Sequence, residues 1–223
     1  MRPDTASRRR LAVLLGLLAL SGFVVALLAA RVAYTGSLVY GNLVWNLFLA
    51  WIPFALAIGV YDGARRGARR SALVAGGALW LLFFPNAPYI VTDFQHLRWW
   101  DNAPIWFDVV LVSTAAWTGL VLGFVSLYLI QAVVARVAGA VNAWALVVVV
   151  LALSSYGIYL GRFERWNSWD VFGEPRLFFE SVRESLVDPS ARPVAVTVLF
   201  TAFLTLTYAV FYSVVRLGSG ERS

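Results

Sequence analysis

The sequence predicts an all-α fold, a polytopic transmembrane helical bundle, and two observations lead to this prediction. The chain has 223 residues, of which 61% are hydrophobic and 13% are charged, whereas soluble domains are roughly half apolar and a quarter charged. The apolar residues also fall into six runs, each long enough to cross a hydrocarbon core of about 30 Å as a helix. We therefore expect one integral membrane domain over residues 1–223, with the lipid bilayer as its partner.

The first apolar run, residues 11–30, follows four arginines in the N-terminal tail. A secretory signal peptide is the competing interpretation, but the apolar core of a signal peptide is only about 7–15 residues long. We interpret residues 11–30 as a retained first span. The remaining spans are predicted at residues 42–60, 71–91, 105–130, 143–160 and 194–215.

A long polar loop, residues 161–193, separates the fifth and sixth predicted spans. Within it, residues 175–188 have the periodicity of an amphipathic helix. We expect a short helix there, lying flat at the outer membrane interface. Its predicted apolar face consists of Leu177, Phe178, Ser181, Val182, Ser185 and Leu186.

The distribution of charge predicts the orientation of the spans. The side that holds both termini carries 11 arginines and 3 acidic residues, and the other side carries 7 and 9, which accounts for the net charge of +6. Because short basic segments stay in the cytoplasm, both termini are predicted to be cytoplasmic. The arginines lie between apolar runs, not in a basic stripe with aromatic residues, which argues against a nucleic-acid partner. The chain has no cysteine, which excludes disulfides, thiol nucleophiles and thiolate metal sites.

The most informative stretch is residues 80–101, which read WLLFFPNAPYIVTDFQHLRWWD. It begins as an apolar span and is interrupted by Pro85 and Pro88, each of which lacks an amide donor. We expect the helix to break or kink between Phe84 and Tyr89. Polar groups clustered at such a break are typical of sites at a membrane–water boundary.

Asp93 and the only histidine of the chain, His96, are three residues apart. On a helix this spacing places both side chains on one face, as two metal ligands or as a carboxylate that orients an imidazole base. A zinc site usually needs a third protein ligand, for which the candidates are Asp101, Asp108 and Asp170. A hydrogen-bonded histidine at an interface is the simpler interpretation, and the sequence identifies no cofactor.

Asp108 lies in the first turn of the fourth predicted span, where a carboxylate inside a span costs ~2.5–3.5 kcal/mol on insertion scales. We expect this side chain to face the bundle and to pair with Arg98 or Arg162. If the third, fourth and fifth spans pack together, these groups should form one site with Asp93 and His96.

Further polar and aromatic residues fall on the same predicted outer side. The tryptophans are more simply explained as anchors at the headgroup level than as walls of a binding cage. On the fourth span, Gly119 and Gly123 have the spacing of small residues that lets helices approach closely. The candidate ligand-binding residues are Asn46, Asn86, Tyr89, Arg98, Arg162, Trp166, Asn167 and Trp169.

The motifs PNAPYIVTDFQHL and GRFERWNSWD, together with Asp108, resemble those of an uncharacterised family of predicted bacterial membrane proteins, domain of unknown function 1361. The resemblance covers residues 42–212. It implies a multi-pass protein of the bacterial inner membrane in which the two motifs act together. It implies no activity, and no catalytic residue carries over from it.

Three functional classes remain. The first interpretation is a non-catalytic protein that binds a lipid headgroup, a small ligand or a protein partner at its outer face. The second is a membrane-embedded hydrolase or transferase, either metal-assisted or independent of a metal. Its candidate catalytic residues are His96, Asp93, Asp108 and Asp170. The third is a small-solute transporter, which requires polar residues through the bilayer midplane, where this sequence has few.

Overall fold

A computed structural model describes residues 5–97, 103–166, 173–187 and 191–220, and every regular element in these residues is a helix. The all-helical fold class is therefore confirmed for them. A 3-10 helix over Ile90–His96 follows the fourth α-helix, and a π-helical turn over Leu160–Glu164 follows the fifth. The α-helices are α1 (Thr5–Thr35), α2 (Asn42–Arg65), α3 (Arg70–Phe83), α4 (Asn86–Tyr89), α5 (Ile105–Tyr159), α6 (Pro175–Val187) and α7 (Ala191–Gly220).

Within the described residues, five continuous helical stretches are long and apolar enough to cross a membrane. One of them contains α5, whose 55 residues would extend for about 80 Å at ~1.5 Å per residue, far beyond a bilayer core of about 30 Å. Inside α5, Gly139 leaves the helical conformation at φ 86° and ψ 166°. Essentially only glycine occupies this region of backbone space, so α5 consists of two helices joined at Gly139.

The two halves of α5 run antiparallel. The ring of Tyr212 in α7 lies 5.9 Å from that of Tyr128 and 5.0 Å from that of Trp144. In one straight helix the backbones of residues 128 and 144 would be about 24 Å apart, too far to flank the same ring. When the halves are counted separately, the described residues contain six helical stretches of membrane length instead of five. The loop predicted between residues 130 and 143 is replaced by a turn at one glycine.

The predicted break in the third span is confirmed. α3 ends at Phe83, and the N–H of Phe84 makes the closing hydrogen bond to the carbonyl of Trp80. Pro85 has no N–H to continue the helix, and the chain restarts as the short α4 before it tightens into the 3-10 helix. The span predicted at residues 71–91 is therefore a series of helical segments and not one helix.

Contacts within the chain divide it into two compact units. The first unit comprises Met1–Trp51 and Asn86–Leu122, and the second comprises Ile52–Pro85 and Gly123–Ser223. Both α2 and α5 contribute one part to each unit.

In the first unit, α5 packs against the broken segment without room for a side chain at Gly119. A Cβ atom there would lie 2.6 Å from the carbonyl oxygen of Ala87 and 2.8 Å from the Cδ1 atom of Ile90. This close approach agrees with the small-residue spacing seen in the sequence. In the second unit, the packing of Gly157 against Pro85 is less tight than that of Gly119. Two carbons of the proline ring are 3.3 Å from the position that a Cβ atom of residue 157 would occupy.

Candidate functional site

Asp93 is the centre of the candidate site. It lies in the 3-10 helix, and its side chain is fully buried. The carboxylate accepts hydrogen bonds from Nδ2 of Asn46 at 3.0 Å and from Nδ2 of Asn42 at 3.5 Å. Asn42 and Asn46 are four residues apart at the start of α2, so one helix face presents both amides. A buried carboxylate is costly without such donors, and the two amides stabilise it in place.

His96 lies at the surface edge of this arrangement. Its side chain is 43% exposed, and its Nε2 atom is 3.8 Å from Oδ1 of Asp93. This is an ion-pair distance when the imidazole is protonated, and it is too long for a direct hydrogen bond. Because a 3-10 helix has about three residues per turn, Asp93 and His96 lie one above the other. The structure thus brings together the two residues whose spacing in the sequence predicts a shared helix face.

Asp108 forms its ion pair with Arg31 instead of the expected Arg162, and the other expected partner, Arg98, lies outside the described residues. The Nε and Nη2 atoms of Arg31 donate to the two carboxylate oxygens at 2.7 and 3.2 Å, and both side chains are fully buried. Arg31 lies in the last turns of α1, and Asp108 lies in the first turn of α5. Two parallel N–H···O bonds give a guanidinium–carboxylate pair both strength and a fixed orientation.

Tyr40 links this ion pair to the candidate site. The Cζ atom of Arg31 is 4.7 Å from the centre of the Tyr40 ring, and the Tyr40 hydroxyl donates to the backbone carbonyl of His96 at 3.1 Å. Contacts therefore run without interruption through the first unit, and we call this set the polar network. Its members in order are Asp108, Arg31, Tyr40, His96, Asp93 and the amides of Asn42 and Asn46.

Sequence reasoning missed Arg31 and Tyr40 as members of the site. By hydropathy Arg31 falls in the loop after the first span, because the first apolar run ends one residue before it. One signal was present: an arginine at the end of the first span and Asp108 at the start of the fourth fall at the same predicted depth. Complementary charges at one depth of a membrane bundle are expected to pair.

The described residues contain no group of three or more histidine, cysteine, aspartate or glutamate side chains that could hold a metal ion. Two of the candidate third ligands, Asp101 and Asp170, lie outside the described residues. The other, Asp108, is held by Arg31.

The other predicted site residues are divided between the two units. Asn86 and Tyr89 are half-buried in α4 of the first unit. Arg162 and Trp166 are half-buried in the second unit. The convergence of the whole cluster on one site stays a prediction. The remaining candidates lie outside the described residues: Arg98, Asn167, Trp169 and Asp170.

In the second unit, Trp166 holds the amphipathic helix α6. Its Nε1 atom donates to Oγ of Ser181 at 3.1 Å, and its ring centre lies 5.6 Å from that of Phe178 in an edge-on arrangement. Phe178, Ser181 and Val182 are half-buried, as the predicted apolar face requires, whereas Leu177 is 53% exposed at the edge of that face. Trp166 is therefore a docking residue for α6.

Neither the curated proteins nor the solved structures include a chain that matches this one. A family model matches residues 45–207. The matched region holds Asn46, Asp93, His96 and Asp108 of the polar network, and it begins after the other three members, Arg31, Tyr40 and Asn42. Because the match covers well over half of the chain, the chain belongs to the family described as Protein of unknown function (DUF1361).

Proposed function

We propose that this chain binds the polar headgroup of a lipid. It does so at the non-cytoplasmic face of a bacterial inner membrane, which it crosses six times with both termini in the cytoplasm. The charge difference between the two predicted sides supports the orientation, and the helix break at Pro85 supports a site at the membrane–water boundary. The observation that carries the proposal is the half-exposed His96 in front of the fully buried Asp93.

The hydrogen-bonding groups at the site favour a particular class of headgroup. Asn42 is exposed and Asn46 is half-buried at the start of α2. Because the Nδ2 atoms of both amides are directed at Asp93, their Oδ1 atoms are left to accept hydrogen bonds. Acceptors that are fixed before binding lose little entropy when a ligand arrives. The site therefore fits a headgroup with hydroxyl or amine donors.

Lipid retention tests this proposal. The full chain is purified from bacterial membranes in mild detergent, and native mass spectrometry identifies the lipids that remain bound. We expect a lipid with hydroxyl or amine donors on the wild type, and about fivefold lower occupancy on Asn42→Ala and on His96→Ala, since each removes a hydrogen bond of about 1 kcal/mol. Asn142→Ala is the matched control, because Asn142 is also an exposed asparagine, and it lies in the second unit. Equal retention by all four proteins would contradict the proposal.

An enzyme at the same interface is the second candidate function. The observation that favours it is the buried carboxylate of Asp93 beside the imidazole of His96, since a fixed carboxylate can orient a general base. An enzyme would convert the retained lipid, so product masses would accumulate with the wild type and not with His96→Gln. A binding protein would return the lipid unchanged in both cases.

A further inference from the structure

A cleft of about 70 Å³ lies in the second unit, between the two halves of α5 and the end of α7. It exists because the chain reverses at Gly139 and because the facing positions of α5 carry small side chains. The small residues are Ala132, Ala135, Ala140 and Ala143, and the larger ones are Tyr128, Gln131, Trp144, Tyr212 and Arg216.

Gln131 supplies a fixed hydrogen-bond donor to the cleft. Its side chain is almost fully buried, and its Oε1 atom accepts a hydrogen bond from the hydroxyl of Tyr208 at 2.6 Å. This bond sets the orientation of the amide, so the Nε2 group is the end that can donate to a ligand. A buried amide held in this way offers a donor whose position does not depend on the ligand.

Arg216 supplies a positive charge at the mouth of the cleft. Its side chain is exposed, and its Cζ atom lies 5.2 Å from the centre of the Tyr212 ring. Stacking on an aromatic ring holds a guanidinium in place while leaving its N–H groups available. Together with the hydroxyls of Tyr128 and Tyr212, the cleft offers several donors and one cation. Phosphate oxygens are the acceptors that such a set binds best.

Two further cations lie close together in the same unit. The Cζ atoms of Arg136 and Arg65 lie 5.2 and 5.8 Å from the centre of the Tyr61 ring. Arg136 is near the Gly139 turn that borders the cleft, so the end of α2 and the turn of α5 carry the same sign of charge. By the charge distribution, this is the cytoplasmic side of the membrane, where a basic protein surface attracts anionic lipids.

We propose that this cleft binds the phosphate of an anionic phospholipid from the cytoplasmic leaflet. Arg216 contacts the phosphate, the Nε2 group of Gln131 donates to one of its oxygens, and the rings of Trp144 and Tyr212 pack against the glycerol and upper acyl carbons. The cleft shares no residue with the headgroup site proposed at Asp93 and His96, and only its assignment to the cytoplasmic leaflet rests on the orientation proposed above.

Calorimetric titration of the full chain in mild detergent tests the site. The probe is a short-chain phosphatidylglycerol, compared with a phosphatidylcholine of equal chain length and with inorganic phosphate. We expect the phosphatidylglycerol to bind more tightly than either of the other probes. Arg216→Gln should weaken its binding about tenfold, because one charge-assisted contact is lost. Gln131→Glu should weaken it at least as much, since it can still accept from Tyr208 but repels the phosphate.

Arg66→Gln is the matched control, because it removes an exposed arginine from the same predicted side outside the cleft lining. We expect its affinity to stay within twofold of the wild type, and the melting temperature of each variant checks its folding. An equal loss in Arg66→Gln and Arg216→Gln would overturn the site in favour of diffuse attraction. Equal binding of the two lipids, or of inorganic phosphate and phosphatidylglycerol, would also overturn it.

Discussion

Among the described residues, the two units of the molecule differ in whether they fully bury charged side chains. The first unit encloses charged side chains, since Arg31, Asp93 and Asp108 are at most 1% exposed. The described residues of the second unit bury neutral pairs, such as the hydroxyl of Tyr208 on the amide oxygen of Gln131 at 2.6 Å. Both kinds of contact join helices, but they differ in their contribution to the stability of the protein.

A neutral hydrogen bond between membrane helices contributes about 0.6 kcal/mol on average. A charge inside the bilayer costs several times more when it is unpaired, and even a paired charge is rarely better for stability than an apolar side chain. The neutral pairs of the second unit are therefore sufficiently explained by helix packing. The charges of the first unit need another explanation, which is why we locate the proposed function there.

The largest expected effect comes from breaking the buried ion pair. Asp108→Asn leaves the guanidinium of Arg31 buried without its counter-ion, so we expect the free energy of unfolding to fall by about 3–5 kcal/mol. Denaturation of the purified protein in mixed micelles, followed by circular dichroism, measures this change. The double variant Arg31→Met with Asp108→Leu should recover most of the loss, because it removes both charges together.

An exposed ion pair provides the matched control for this comparison. Glu180→Gln breaks the contact with Arg176, where both side chains are at least half exposed. We expect a change within about 0.5 kcal/mol, since solvent already satisfies both groups. If Asp108→Asn were as mild as Glu180→Gln, the distinction between the interiors of the two units would be wrong.

Steric crowding gives the next largest effect. Gly119→Ala forces a Cβ atom to 2.6 Å from a backbone oxygen, which can be relieved only by moving the broken helix, so we expect a loss of about 1–3 kcal/mol. Gly157→Ala in the second unit should cost less, because its nearest atoms are at 3.3 Å. Gly22→Ala has open space and should be neutral or slightly stabilising in the same denaturation assay. An equal loss at Gly119 and Gly22 would show that the close approach is not needed.

The smallest expected effect is the loss of a neutral pair. Tyr208→Phe removes the hydroxyl that donates to Gln131 and should destabilise the protein by about 1 kcal/mol. Tyr34→Phe is the control, because Tyr34 is 73% exposed and its hydroxyl is accessible to solvent. A loss at Tyr208 as large as that at Asp108 would remove the contrast between neutral and charged interiors.

The helices, the break at Pro85 and the proximity of Asp93 to His96 could be predicted because each depends on local sequence. Hydropathy defines a span, a missing amide ends a helix, and a spacing of three residues places two side chains together. The turn at Gly139 could not be predicted in this way. A reversal at one residue leaves no polar loop, and the sequence on both sides of it stays helical.

The pairing of Arg31 with Asp108 could not be predicted for a different reason. The two residues are 77 positions apart, and no local period connects them. Their pairing depends on which face of α1 meets which face of α5. The sequence predicts that Asp108 needs a cation, and Arg98 and Arg162 are basic residues of the loops on the same predicted side. It does not predict how each helix is rotated about its axis, which determines the partner.

The same separation of 77 residues matters during synthesis. A ribosome adds about 5–20 residues per second, so Asp108 is made about 4–15 s after Arg31. If α1 crosses the bilayer, as its length and composition predict, it does so before its partner exists. Because Arg31 lies in the last turns of α1, its long side chain can extend to interfacial water until α5 arrives. An arginine at the middle of α1 could not reach interfacial water. The position of Arg31 therefore lets its guanidinium stay hydrated in the nascent chain and pair with Asp108 in the folded protein.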